Sequence, residues 1–119
     1  MLVVEDEAQV LRFASDMLAT LGFDVVAATD GARALEALRC HRDRLALVLL
    51  DSTLPGMAGE AVLAEAERAG SPVPVVLSSG YDAADLAARF AGHRIAGFLQ
   101  KPYRLAELRS TVRRALTGR

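Results

Sequence analysis

Tryptophan is absent from this chain of 119 residues, and cysteine and lysine each occur once, at Cys40 and Lys101. A lone cysteine excludes an internal disulfide and fits a reducing, cytoplasmic compartment. Cys40 falls near the end of a helix-period segment, where an unreactive, passively placed thiol is the expectation. No apolar run approaches the roughly 20 residues of a membrane span. The opening "MLVVEDE" is read as lacking a signal peptide. Fourteen basic residues against fifteen acidic ones leave a formal charge of -1, which argues against a nucleic-acid-binding surface as the main function, and no direct membrane partner is expected. What is present suits one soluble domain with one core, since 52% of residues are apolar and 24% charged.

Short apolar runs alternate with segments of helical period. "LVV" (Leu2 to Val4) reads as a strand, and Leu11, Ala14, Leu18 and Leu21 then recur at helical spacing until Gly22 stops them. "FDVVAA" is a second strand. Asp30 is placed to cap a helix carrying Leu35 and Leu38 on one face. "LALVLL" is a third strand, and its unbroken hydrophobicity implies burial on both sides. A third helix is expected from Gly59 to Ala69, closed by Gly70 after a Pro55-Gly56 turn. A fourth strand follows in "PVPVVLSS", and a short Ala-rich helix from Asp82 to Phe90. A fifth strand lies in "AGFLQ", and the last helix is marked by Leu105, Leu108, Val112 and Leu116. Five strands alternating with five helices predict an α/β fold with a doubly wound parallel sheet. The flavodoxin-like order 2-1-3-4-5 is the natural candidate, with its ligand crevice at the carboxyl ends of strands 1 and 3.

The residues expected on that rim carry the chemistry. Strand 1 runs into Glu5-Asp6, strand 3 into Asp51, strand 4 ends in Ser78-Ser79 before Gly80, and strand 5 runs into Lys101-Pro102. Three crowded carboxylates repel one another, and a hard divalent cation such as Mg²⁺ relieves this. An ammonium and a hydroxyl beside them can meet phosphoryl oxygens, and a carboxylate can accept a phosphoryl group. Taken singly, each feature has a plainer reading. Glu5-Asp6 can be a solvated turn that caps the first helix through Asp6. Asp51 can be a turn residue, Ser78 and Ser79 can satisfy backbone, and Lys101 can be a surface charge. His41 and His93 are placed in connections away from the rim and read as surface residues.

Taken together, "VVEDE", "LLDSTLPGMAG", "VVLSSGY" and "GFLQKPY" resemble, in order and spacing, the motifs of response-regulator receiver domains of two-component signalling. "SSGYD" and "GFLQKPY" further resemble receivers attached to hybrid histidine kinases. The resemblance covers residues 1–119 as a single receiver domain. It implies phosphorylation of Asp51, and Mg²⁺ held by Glu5, Asp6, Asp51 and the backbone carbonyl of Thr53. It also implies Ser79 as the switch hydroxyl, Phe98 as the switch aromatic, Lys101 on the phosphoryl group, and a cis Lys101-Pro102 bond. The implied partners are a histidine kinase or histidine phosphotransfer domain, with a homodimer through the last two helices and strand 5. The implied role is a signalling domain without turnover, not an enzyme.

Three other functions fit less well. An aspartate-nucleophile phosphohydrolase needs a second Asp two residues after the first, where Thr53 stands. A flavin carrier needs a hydroxyl- and glycine-rich loop where "EDEAQV" is acidic. A phosphorylation-independent interaction module would not need Glu5, Asp6, Asp51 and Lys101 together.

Overall fold

The computed structural model describes residues 1–54, 58–68, 73–80 and 82–117. Along the chain run β1 (Leu2–Val4), α1 (Ala8–Thr20), β2 (Val26–Ala28) and α2 (Gly31–His41). A short 3₁₀ turn at Arg42–Arg44 leads to β3 (Val48–Asp51) and α3 (Ala58–Ala66). Then come β4 (Val75–Ser79), α4 (Ala83–Arg89), β5 (Gly97–Gln100) and α5 (Leu105–Thr117). The expected turn at Pro55-Gly56 and the helix stop at Gly70 lie outside the described residues.

The strands form one parallel sheet in the order β2-β1-β3-β4-β5, as expected from the sequence. Alternation along each strand splits its apolar residues between two cores. Leu2, Val4, Val48, Leu50, Val75 and Leu77 pack beneath α2, α3 and α4, with Leu38, Leu63, Leu86 and Phe90. Val3, Leu47, Leu49, Val76 and Leu99 pack beneath α1 and α5, with Met17, Leu18, Leu108 and Val112. Each fully buried aliphatic side chain contributes about 1.5–3 kcal/mol, so both faces hold the sheet.

Local signals explain the helix ends. Asp30 Oδ1 accepts from the Arg33 amide at 2.8 Å, and Asp82 caps α4 by accepting from the Asp85 amide at 2.9 Å. Helix α1 ends where Gly22 takes φ +95°, so that the Gly22 and Phe23 amides reach the Ala19 and Leu18 carbonyls. The plainer reading of Asp6 as a helix cap fails. The residue before α1 is Glu7, which makes no side-chain cap, and the Glu7 amide donates to Glu5 Oε2 at 3.2 Å.

Some boundaries differ from expectation. Strand β2 covers only the last three residues of "FDVVAA"; Phe23 and Val25 pack against the α1/α5 core ahead of it. Strand β3 begins at Val48, after Leu45 and Leu47 are already buried. His41 is the last residue of α2 and half-buried, not in a connection. Cys40 is exposed near the end of the same helix.

Candidate functional site

Strand register builds the site. Val4 pairs with Leu50, which sets Glu5 and Asp51 level at the next step. Asp51 pairs with Ser78, and Ser79 with Gln100, immediately before Lys101. Strand alternation continues into these residues, so Glu5, Asp51 and Lys101 share the α1/α5 side with Val3, Leu49 and Leu99. One carboxylate oxygen from each of Glu5, Asp6 and Asp51 lies within 4.8 Å of the others. Asp6 is exposed, whereas Glu5 and Asp51 are only 3% and 1% exposed.

Lys101 answers two of these acids. Its Nζ donates to Glu5 Oε1 at 2.7 Å and stands 3.4 Å from Asp51 Oδ1. Of the two acids, Glu5 is the nearer. The reason is reach: Glu5 carries one methylene more than an aspartate.

Burial pushes Glu5 up to about 7, with the Asp51 carboxylate adding to the rise and the Lys101 hydrogen bond opposing it. Burial acts upward on Asp51 as well, but hydrogen bonds from the Thr53 amide and hydroxyl and the Lys101 charge hold it below its ordinary value. Lys101 shows the mirror image. Burial disfavours its charge, and the Glu5 and Asp51 carboxylates more than offset this, so it stays above its usual value.

Two further contacts belong to Thr53. Its amide donates to Asp51 Oδ1 at 3.1 Å, and its hydroxyl donates to the same oxygen at 2.8 Å. Sequence reasoning gave Thr53 only a backbone role. The signal for the side chain was a hydroxyl residue two positions after an aspartate, where an Asx turn brings the two together.

The remaining expected residues are placed around this cluster. Ser79 is fully buried at the end of β4, and its carbonyl accepts from the Lys101 amide at 2.7 Å. Phe98 is away from the acids, half-buried against the core under α2, α3 and α4. The Lys101-Pro102 bond is cis. Tyr103, unremarked in the sequence, is buried in the α1/α5 core, and burial raises its phenol.

The residues present fit a divalent cation. Three carboxyl groups face one ammonium, an excess of acid over base at this rim among the described residues. The donors are hard oxygens with one exposed member, the set that Mg²⁺ takes while keeping waters.

Comparison with known proteins decides the family. The model of the response regulator receiver domain matches residues 1–113. The chain belongs to this family. Receiver domains are signalling domains of two-component response regulators. This receiver is 32% identical over 117 residues to the probable transcriptional regulator ycf27 of Porphyridium aerugineum, covering 97% of the chain and 47% of that protein. It is 34% identical over 114 residues to the luminescence regulatory protein LuxO of Vibrio campbellii, covering 96% of the chain and 25% of that protein. The chain thus spans half or less of these relatives' length. Among solved structures, the receiver domain of NtrX from Brucella abortus superposes with a TM-score of 0.84 at 30% identity, covering 99% of this chain and 98% of that one. Among the described residues no helix is long and apolar enough to cross a membrane.

Proposed function

We propose that the 119 residues act as one phospho-acceptor domain, taking a phosphoryl group onto Asp51 from a histidine kinase or a histidine phosphotransfer domain. The observation that carries this reading is the convergence of Glu5, Asp6, Asp51 and Lys101 on one rim of the sheet. One Asp51 carboxylate oxygen forms the new P–O bond as the donor's P–N bond breaks, and the imidazole leaves with a proton. Lys101 meets a phosphoryl oxygen as a compact point charge. Glu5, Asp6, Asp51 and the Thr53 carbonyl hold Mg²⁺. When bound, that ion supplies positive charge against the phosphoryl oxygens.

Ser79 and Phe98 are the proposed switch. The new phosphoryl group draws the Ser79 hydroxyl, and Phe98 turns inward into the space this opens. The surface of α4, β5 and α5 then changes, as a two-state element biased by the phosphate. The same surface is proposed for a homodimer. No turnover is assigned. The position two residues after Asp51, where a phosphohydrolase would carry its general acid, is Thr53, whose hydroxyl is bonded to Asp51 itself.

Incubation with a small phosphodonor tests this. Label should build to at most one phosphoryl group per chain and require Mg²⁺. Continuous phosphate release far above the chain's own slow hydrolysis would support the phosphohydrolase instead.

A further inference from the structure

Asp51 Oδ1 collects an unusual concentration of donors. The Thr53 amide, the Thr53 hydroxyl and the Lys101 ammonium all approach it, at 3.1, 2.8 and 3.4 Å. The two Thr53 contacts differ in kind. The amide belongs to the turn and stays whatever side chain occupies position 53. The hydroxyl is a property of this chain's residue, and Asp51, at 1% exposed, has little water to replace it. We infer that Thr53 is a positioning residue for Asp51, whose hydroxyl favours the free carboxylate over the acylated one and so limits how fully the site is loaded. This rests on Asp51 being the acceptor.

The physical reason is a change in the acceptor oxygen. Before transfer, one negative charge is shared by the two Asp51 oxygens, and Oδ1 accepts charge-assisted hydrogen bonds. Forming the P–O bond turns one oxygen into a bridging ester oxygen and the other into a carbonyl, and the charge moves to the phosphoryl group. Whichever oxygen reacts, Oδ1 becomes a poorer acceptor. The Thr53 hydroxyl therefore stabilises the starting state more than the product. A hydrogen bond to a charged group is worth about twice a neutral one, so losing that difference should shift the loading equilibrium by about threefold to tenfold.

Beryllofluoride gives an equilibrium readout, because it coordinates a carboxylate oxygen reversibly and withdraws its charge as a phosphoryl group does. Its apparent dissociation constant is measured by NMR titration at saturating Mg²⁺ for the wild type, Thr53→Val, Thr53→Ser and Asp51→Asn. Thr53→Val keeps the shape and removes the donor, and should bind about threefold to tenfold more tightly. Thr53→Ser restores the donor and should lie within about twofold of wild type. Unchanged or weaker binding in Thr53→Val would overturn the inference while leaving Asp51 as acceptor. If Thr53→Val lost the folded amide spectrum, Thr53→Ala carries the same expectation. Asp51→Asn should not bind. A wild type that does not bind, or an Asp51→Asn variant that binds equally well, would remove the acceptor reading and this inference with it.

Discussion

Replacing Gly97 with alanine should loosen the packing of α5 on β5 by an amount the structure lets one work out. A Cβ at Gly97 would stand 2.9 Å from Thr111 Cγ2 and 3.6 Å from Val76 Cγ2. Carbon atoms prefer about 3.5–4.0 Å, so the overlap falls on Thr111, while Val76 makes an ordinary contact. Thr111 is buried, and a helical threonine has only two common χ1 rotamers, so relief is limited. Overpacking of this kind costs about 1–3 kcal/mol. Gly97 has no positive φ, so alanine returns about 0.4–1 kcal/mol through the unfolded chain. The expected net loss for Gly97→Ala is therefore between about 0 and 2.6 kcal/mol. Thr111→Ser alone removes one buried methyl group and should cost about 0.5–1.5 kcal/mol. In the double variant the alanine methyl fills the space that the threonine methyl vacated. Urea denaturation at constant slope should then show the double variant more stable than the sum of the singles by about 1 kcal/mol or more. Additivity within about 0.5 kcal/mol would refute the reasoning.

Glu5→Gln with Asp6→Asn should make phosphoryl labelling very slow even at high Mg²⁺, and should abolish the rise in melting temperature expected of the wild type on adding Mg²⁺. Lys101→Arg should fold and still gain stability from Mg²⁺, yet fail to shift the NMR signals of α4 and α5 on phosphorylation, because a planar guanidinium is wider than an ammonium. Ser79→Ala should accept the phosphoryl group but leave those signals largely unmoved. Glu65 lies between Arg39 Nε at 3.1 Å and Arg68 Nη1 at 3.3 Å, and the arginines hold it below its usual value. Its stabilisation is therefore present above about pH 4.5 and lost as pH falls through the lower folded value. Acid titration of stability should be less steep in Glu65→Gln than in wild type.

The sheet order was legible because the apolar runs are strand-sized and the intervening segments have helical period, a pattern few folds share. Strand length was less legible. Hydrophobicity reports burial and not ladder pairing, so Phe23, Val25 and Leu45 looked like strand although they lie outside the strands, while Leu47, just before β3, still accepts from the Leu2 amide. The 3₁₀ turn at Arg42–Arg44 carries no apolar period at all. At the rim, the sequence located the acids and the lysine, because strand ends are countable. That Glu5 stands nearer the lysine than Asp51 does depends on side-chain reach through space, which the strand ends do not give. The Thr53 hydroxyl was missed for a related reason: the motif draws attention to the backbone at that position, and the side-chain bond depends on turn geometry.

The most direct test of the central claim is to locate the phosphoryl group. The wild type is treated with a small phosphodonor and Mg²⁺, reduced with borohydride to trap the acyl phosphate, and mapped by peptide mass spectrometry. The modification should fall on Asp51, should be missing without Mg²⁺, and should vanish in a folded Asp51→Asn variant. Trapping at any other residue, or equal labelling of Asp51→Asn, would contradict the account.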